Sequence, residues 1–239
     1  PVLAIPALVW VLSPLIAYLI SKPIIRKRKL LGVKDVEFAR AIARRTWRFF
    51  ETFVTADDNW LPPDNFQDDP APVVAHRTSP TNIGLLLLAT SAARDLGYVS
   101  SLELIERQEL TFSTLTKLQK LHGHFFNWYE TRTLDPLLPQ YISTVDSGNL
   151  AGHLIAVKQS NIELPDLELF DDRVIAGLAD TIDAVAIEAE RLVSFRQRTE
   201  VVTVRQLQDE ISACRKLLAN NTQEDLASWF VLLDSLFRR

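Results

Sequence analysis

The chain has 239 residues, a formal net charge of −4, and 47% hydrophobic against 23% charged residues. That length can bury a sizeable core in one large or two small domains, and the acidic balance excludes the global basic footprint of a nucleic-acid binder. A single cysteine, Cys214, excludes an internal disulfide and leaves no zinc-finger spacing.

The first 20 residues, PVLAIPALVWVLSPLIAYLI, hold no charge. At 1.5 Å per residue such a run matches the hydrocarbon core of a bilayer, and Pro6 and Pro14 would be tolerated in it. Lys22, Arg26, Lys27, Arg28 and Lys29 follow the apolar run rather than precede it. That is a stop-transfer, positive-inside pattern and not a signal peptide. The sequence therefore predicts a transmembrane helix over 1–21, a basic juxtamembrane linker over 22–34, and residues 22–239 on the cytoplasmic side. A buried core helix is the competing reading. The missing initiator Met, together with an ending at Leu236-Phe237-Arg238-Arg239 that has no turn signal, predicts a piece excised from a longer polypeptide.

Residues 35–54 read as an amphipathic helix, with Phe38, Ile42, Phe49 and Phe53 near helical spacing. A long proline- and aspartate-rich stretch, NWLPPDNFQDDPAPVVAHRTSP, follows; compact domains seldom keep such a loop without a use. Residues 81–96 form the next expected helix, closed by Gly97 as C′ residue. Its run Leu85 to Leu88 wants burial between partners. Ser100 and Glu103 fit a capping box opening a helix to about 121, so 81–96 and 101–121 form an antiparallel hairpin. Further helices are expected from about Ser147 to Lys158, from Asp171 to about Phe195, from Val204 to Leu218, and from Thr222 onward. The Glu- and Arg-rich 189–200 reads as a solvated face. No alternating strand pattern is long enough for a sheet. Short turns that alternate with long loops suggest a layered helical toroid whose long loops gather at one end; an ordinary helical bundle is the alternative.

Three polar, aromatic-rich loops carry the chemistry. The first holds Trp60, Asp64, Asn65, Phe66, Gln67, Asp68, Asp69, His76 and Arg77. The second, HGHFFNWYETRTLDPLLPQ, runs over 122–140, and the third, YISTVDSGNL, over 141–150. Converging on one cleft, they would suit a sugar: Trp and Tyr cover apolar C–H faces, while Asp, Asn, Gln, Arg and His satisfy hydroxyls. No glycine-rich phosphate turn is present. Asp146 or Ser147 can cap the helix after the third loop, or Asp146 and Asn149 can point into the cleft. Gly148, Gly152 and the Ala151/Ala156 pair read as close helix packing. His122, His124 and His153 can be read as zinc ligands or as hydrogen-bonded wall residues. His76 to Pro80 can bind an anion at a helix N-terminus, or Thr78 and Ser79 can simply organise the turn before Asn82. Glycoside chemistry needs two carboxyls; Asp64, Asp68, Glu130, Asp135 and Asp146 are the candidates, and spacing selects no pair.

The stretches NWLPPDNFQDDPAPVVAHRTSPTNIGLLLLATSAARDLGY and HGHFFNWYETRTLDPLLPQYISTVDSGNLAGHL carry a resemblance to the cyclic beta-1,2-glucan synthases. It is to the segment joining their last membrane helices to a central glucoamylase-like domain, and it covers nearly the whole chain. The resemblance implies an all-α fold, with a membrane helix and then, over 35–239, the first part of an (α/α) toroid. It implies a large enzyme of the bacterial inner membrane, whose central domain closes linear beta-1,2-glucan into a ring by transglycosylation. The partners so implied are the glucan chain, the membrane and the remaining domains of the same polypeptide. No cofactor, metal or nucleic acid is expected for this domain.

By the same resemblance, Asp64, Gln67, His76, Arg77, His124, Trp128, Tyr129, Arg132 and Asn149 are substrate-binding. Glu130 and Asp146 are the catalytic candidates, as subsite binders first and catalysts second. Glu130 stands where members of that family often carry Asp, which keeps the charge but lengthens the arm. The isolated chain is expected to be inactive. The alternatives are a membrane-tethered beta-glucan hydrolase, and a non-catalytic helical scaffold that would bury Trp60, Trp128 and Tyr129 in its core.

Overall fold

The computed structural model describes residues 4–22, 31–195, 201–220 and 225–238. The chain divides into two compact units, Pro1–Val36 and Glu37–Arg239.

In the first unit, α1 (Ala4–Ile20) is a 17-residue helix with Pro14 inside it. Among the described residues no helix is long and apolar enough to cross a membrane. This overturns the transmembrane helix expected over 1–21, and with it the inner-membrane placement with 22–239 on the cytoplasmic side. Of the basic run, Arg26, Lys27, Arg28 and Lys29 lie outside the described residues.

The second unit is built from helices. They are α2 (Val33–Phe53), which begins in the first unit, α3 (Pro80–Asp95), α4 (Ser101–Lys117), α5 (Thr144–Glu163), α6 (Asp172–Phe195), α7 (Val201–Asn220) and α8 (Leu226–Phe237). The expected helix to 121 stops at Lys117, because Lys120–Leu121 pairs as a strand with His124–Phe125. The helix expected from Ser147 starts three residues earlier, at Thr144. Its cap is Ser143, whose Oγ accepts from the Asp146 N–H at 3.1 Å. Neither Asp146 nor Ser147 is the cap; the signal is Ser-x-x-Asp at 143–146, the acidic relative of the capping box. Ser100 caps α4 as expected, accepting from the Glu103 N–H, while the Glu103 carboxylate turns to Arg107. At the last helix Asp225 is itself the N-cap, in a capping box with Ser228; Thr222 lies outside the described residues.

Helix directions follow from who meets whom. Near their starts, Thr81 of α3 bonds Asp146 of α5; one turn on, Gly84 faces the His153 ring. The two helices therefore run in the same direction, and a Cβ at Gly84 would collide with that ring. α4 runs the other way, since its early Ser101 meets the late Arg94 of α3. The short turn between α3 and α4 lies at one end, and the long loops that precede α3 and α5 meet at the other. Gly97, in that turn at φ +81°, also lies against α6, where a Cβ on it or on Gly177 would strike backbone.

Leu61, Ile83, Leu87, Leu115, Leu118, Phe126, Tyr129, Leu150 and Val157 form the core beneath the long loops. Of the leucine run, Leu86 and Leu87 are buried while Leu85 is exposed. A second core, of Leu218, Trp229 and Leu232, joins α6, α7 and α8. The close helix packing expected around Gly148 and Gly152 is not seen: a Cβ on either would meet nothing within 4 Å among the described residues.

Candidate functional site

The loops that precede α3 and α5 are zipped to each other. Strand β3 (Arg77–Thr78) pairs antiparallel with β6 (Tyr129–Glu130), setting Arg77 opposite Glu130 and Thr78 opposite Tyr129. The ladder is extended by the Thr131 N–H donating to the His76 carbonyl at 3.0 Å. Residues more than 50 positions apart in sequence thus share one surface, at the N-terminal ends of α3 and α5.

The corner at 58–60 supports that surface from below. Asn59 and Trp60 adopt positive φ, 52° and 59°, a conformation that Asn tolerates better than most side chains. Their carbonyls accept from two buried hydroxyls of α4, Thr114 at 2.7 Å and Thr111 at 3.1 Å. The Asn59 amide in turn donates to the carbonyls of Thr131 and Arg132. Asp58, only 5% exposed, accepts at Oδ1 from Thr131 Oγ1 (2.5 Å) and from His76 Nδ1 (2.7 Å). Arg132 Nη2 reaches His76 Nε2 at 2.7 Å. Arginine can only donate, so the imidazole carries its hydrogen on Nδ1 and accepts at Nε2.

On the α3 side, Arg77 donates twice to Asp64 Oδ2, at 3.1 and 2.9 Å, and its guanidinium lies 5.1 Å from the Trp128 ring centroid. Asn82 Nδ2 reaches the other Asp64 oxygen at 3.3 Å. On the α5 side, Asp146 collects donors: Thr81 Oγ1 at 2.7 Å and Ser143 Oγ at 2.5 Å. The amide orientation of Asn127 that matches donors to acceptors adds its Nδ2 to Asp146 at 2.9 Å, while its Oδ1 accepts from Trp128 Nε1 and the Tyr141 hydroxyl, both at 2.7 Å. Asn149 Nδ2 donates to Thr81 Oγ1 at 3.2 Å. Burial pushes the Asp146 carboxyl up, but hydrogen bonds from Ser143, Thr81, Ser79 and its own backbone N–H outweigh it and hold it below the usual aspartate value.

Of the residues expected to bind or act, Asp64, His76, Arg77, Trp128, Glu130, Arg132, Asp146 and Asn149 share this surface. Gln67 and His124 are exposed on two other ribbons, β1–β2 (Phe66–Gln67 with Val73–Val74) and β4–β5 (Lys120–Leu121 with His124–Phe125). Tyr129 is wholly buried in the core beneath, its hydroxyl accepting from the Phe126 N–H and donating to the Gln119 carbonyl; its ring offers no face to a sugar. Trp60 and Trp128 are half-buried. Ser79 caps α3, accepting from the Asn82 N–H, which is the turn-organising one of its two expected roles. Asp58 escaped the sequence reading. Its signal, an Asp-Asn pair before an irregular loop, is the ordinary signature of a turn.

The carboxylates here act as acceptors. Glu130 Oε2 is folded onto its own turn, taking the N–H groups of Arg132 (2.9 Å) and Thr133 (2.6 Å), and Asp146 and Asp64 accept on both oxygens. Asp146, held below the usual aspartate value by its donors, is a poor proton donor but a firm orienting group. Among the described residues no three His, Cys, Asp or Glu side chains group as a metal site.

No family model matches the chain. Over 159 residues, 66% of its length, it is 52% identical to the cyclic beta-(1,2)-glucan synthase NdvB of Rhizobium meliloti, and it spans 6% of that relative. Among solved structures, a candidate glucoamylase from Bacteroides caccae aligns with 54% of this chain and 36% of its own, at TM-score 0.44 and 22% identity. Another, from Bacteroides fragilis, aligns with 61% and 37%, at TM-score 0.43 and 20% identity.

Proposed function

We propose that the chain supplies glucan-binding loops to a carbohydrate-active enzyme domain that acts on beta-1,2-glucan by transglycosylation. The observation that carries this reading is the convergence of Arg77, Trp128, Asp64, Arg132, Asp146 and Asn149 on one surface. It combines a half-buried indole with a dense set of fixed donors and acceptors, the pairing that sugar rings require. The likeness to the glucan synthase over 159 residues supports the choice of glucan.

In this reading Trp128, steadied by Arg77 and Asn127, takes the apolar face of a glucose unit. Asp64, Arg132 and Asn149 meet its hydroxyls. Glu130 and Asp146 keep the loops in shape, and bond cleavage and formation fall to carboxyls other than these two. The test is calorimetric titration of the chain with linear beta-1,2-glucan oligosaccharides. Trp128→Ala should weaken binding about tenfold or more, since a stacked aromatic contributes on the order of 1.5 kcal/mol; unchanged affinity would defeat the assignment.

A further inference from the structure

We propose that Asp58 is a positioning residue for glucan binding: acting through His76, it fixes the Arg132 guanidinium at the rim of the loop cluster, where the remaining N–H groups meet sugar hydroxyls. The inference rests on reading the cluster as a glucan-binding surface, and assigns a role to a residue that touches no sugar.

Three observations carry it. A buried carboxylate is costly unless its oxygens are satisfied, and Asp58 Oδ1 takes the His76 Nδ1 hydrogen and the Thr131 hydroxyl hydrogen together. That contact sets the tautomer, leaving Nε2 of His76 as the acceptor that Arg132 Nη2 meets at 2.7 Å. The opposite tautomer would set N–H against N–H there and turn the guanidinium away. The line is also anchored at its far end. Asn59, next in the chain, is tied to the carbonyls of Thr131 and Arg132 and to Thr114 of α4. Backbone and side chain of Arg132 are therefore fixed by the same corner. Arg132 is exposed, and a guanidinium has five donors, of which His76 occupies one.

A purely structural clamp between the two loops would bury Asp58 in the same way, so the test separates acting through Arg132 from acting on the fold. The affinity of the chain for linear beta-1,2-glucan oligosaccharides is measured for Asp58→Ala, Arg132→Ala and the double variant. Arg132→Ala is expected to lose about tenfold, Asp58→Ala most of the same factor, and the double variant no more than Arg132→Ala alone. If Asp58→Ala fails to fold, His76→Phe replaces it in the same cycle, because it cuts the line while leaving Asp58 its Thr131 partner. Independent, multiplied losses, or full affinity in Arg132→Ala while Trp128→Ala is impaired, would overturn the positioning role alone. Absence of binding by the unaltered chain would overturn it together with the glucan reading. A ligand-free readout separates the two: ¹⁵N shifts of His76 should report the Nδ1–H tautomer in the unaltered chain and lose it in Asp58→Ala. The Nε2–H tautomer in the unaltered chain would overturn the role whatever the sugar does.

Discussion

The loop cluster and the α6–α8 bundle are built by different physics. In the cluster, segments about 50 to just over 70 positions apart are joined by directed hydrogen bonds: β3 to β6, Asn59 to Thr131, Thr81 to Asp146. In the bundle, Val174, Leu178 and Ile182 of α6, spaced at helical intervals, pack against Leu218, Trp229 and Leu232. Ion pairs such as Arg215–Asp183 decorate the outside. Apolar packing holds a shape and leaves surface chemistry free to vary. A directed network spends polar side chains on fixing other polar side chains, which is useful only where their positions matter. The two tryptophans make the contrast concrete: Trp229 is buried against Phe170, whereas Trp128 is half-buried with Arg77 over its ring.

Substitutions can break this contrast at graded cost. Leu232→Ala, at a side chain with no exposure, should lose about 2–5 kcal/mol of stability by opening a cavity. Glucan affinity should stay unchanged under conditions where the variant is folded; urea unfolding beside calorimetry checks both. A parallel loss of affinity would mean that the bundle and the cluster are not energetically separate.

Asp146→Ala should cost about 1–3 kcal/mol by stranding the hydroxyls of Thr81 and Ser143, and should weaken glucan binding as well. The effect has a pH sign. The folded carboxyl titrates below its usual value, so its stabilisation is complete above the unfolded value of about 3.9. It is lost as pH falls through the folded value. Asp146→Asn should therefore flatten the acid limb of the stability curve without abolishing it. Asp171, held low by its hydrogen bond from Arg173 against some desolvation, keeps the same sign. An unchanged acid limb in Asp146→Asn would remove the charge from the account.

The smallest effect is expected at Arg215→Ala. Its pair with Asp183 is about half exposed on both sides, so the change should stay within about 1 kcal/mol by thermal denaturation. A larger loss would show that the bundle, too, relies on directed contacts.

The same contrast governs what could be read in the sequence. Helix periods and stops were legible because they are local: α2, α3 and α6 lie within a residue or two of expectation, and Gly97 closes α3. That the long loops gather at one end was legible from their alternation with short turns. What joins them was not, because a two-residue ladder such as β3–β6 leaves no alternating pattern, and Tyr129 looks like a sugar-facing aromatic until the ladder turns it inward. Asp58 matters through partners 18 and 73 positions away, and no local signal carries that. The membrane anchor was read from 20 uncharged residues, but among the described residues no helix is long and apolar enough to cross a membrane.

The most direct test of the central claim, that the loop cluster binds beta-1,2-glucan, is the ¹⁵N indole spectrum of the chain, with its five tryptophans, titrated with linear beta-1,2-glucan oligosaccharide. A saturable shift of the Trp128 indole, with Trp229 unmoved, is the predicted result. Shifts at Trp229 with Trp128 silent, or no shift at either up to millimolar oligosaccharide, would contradict it.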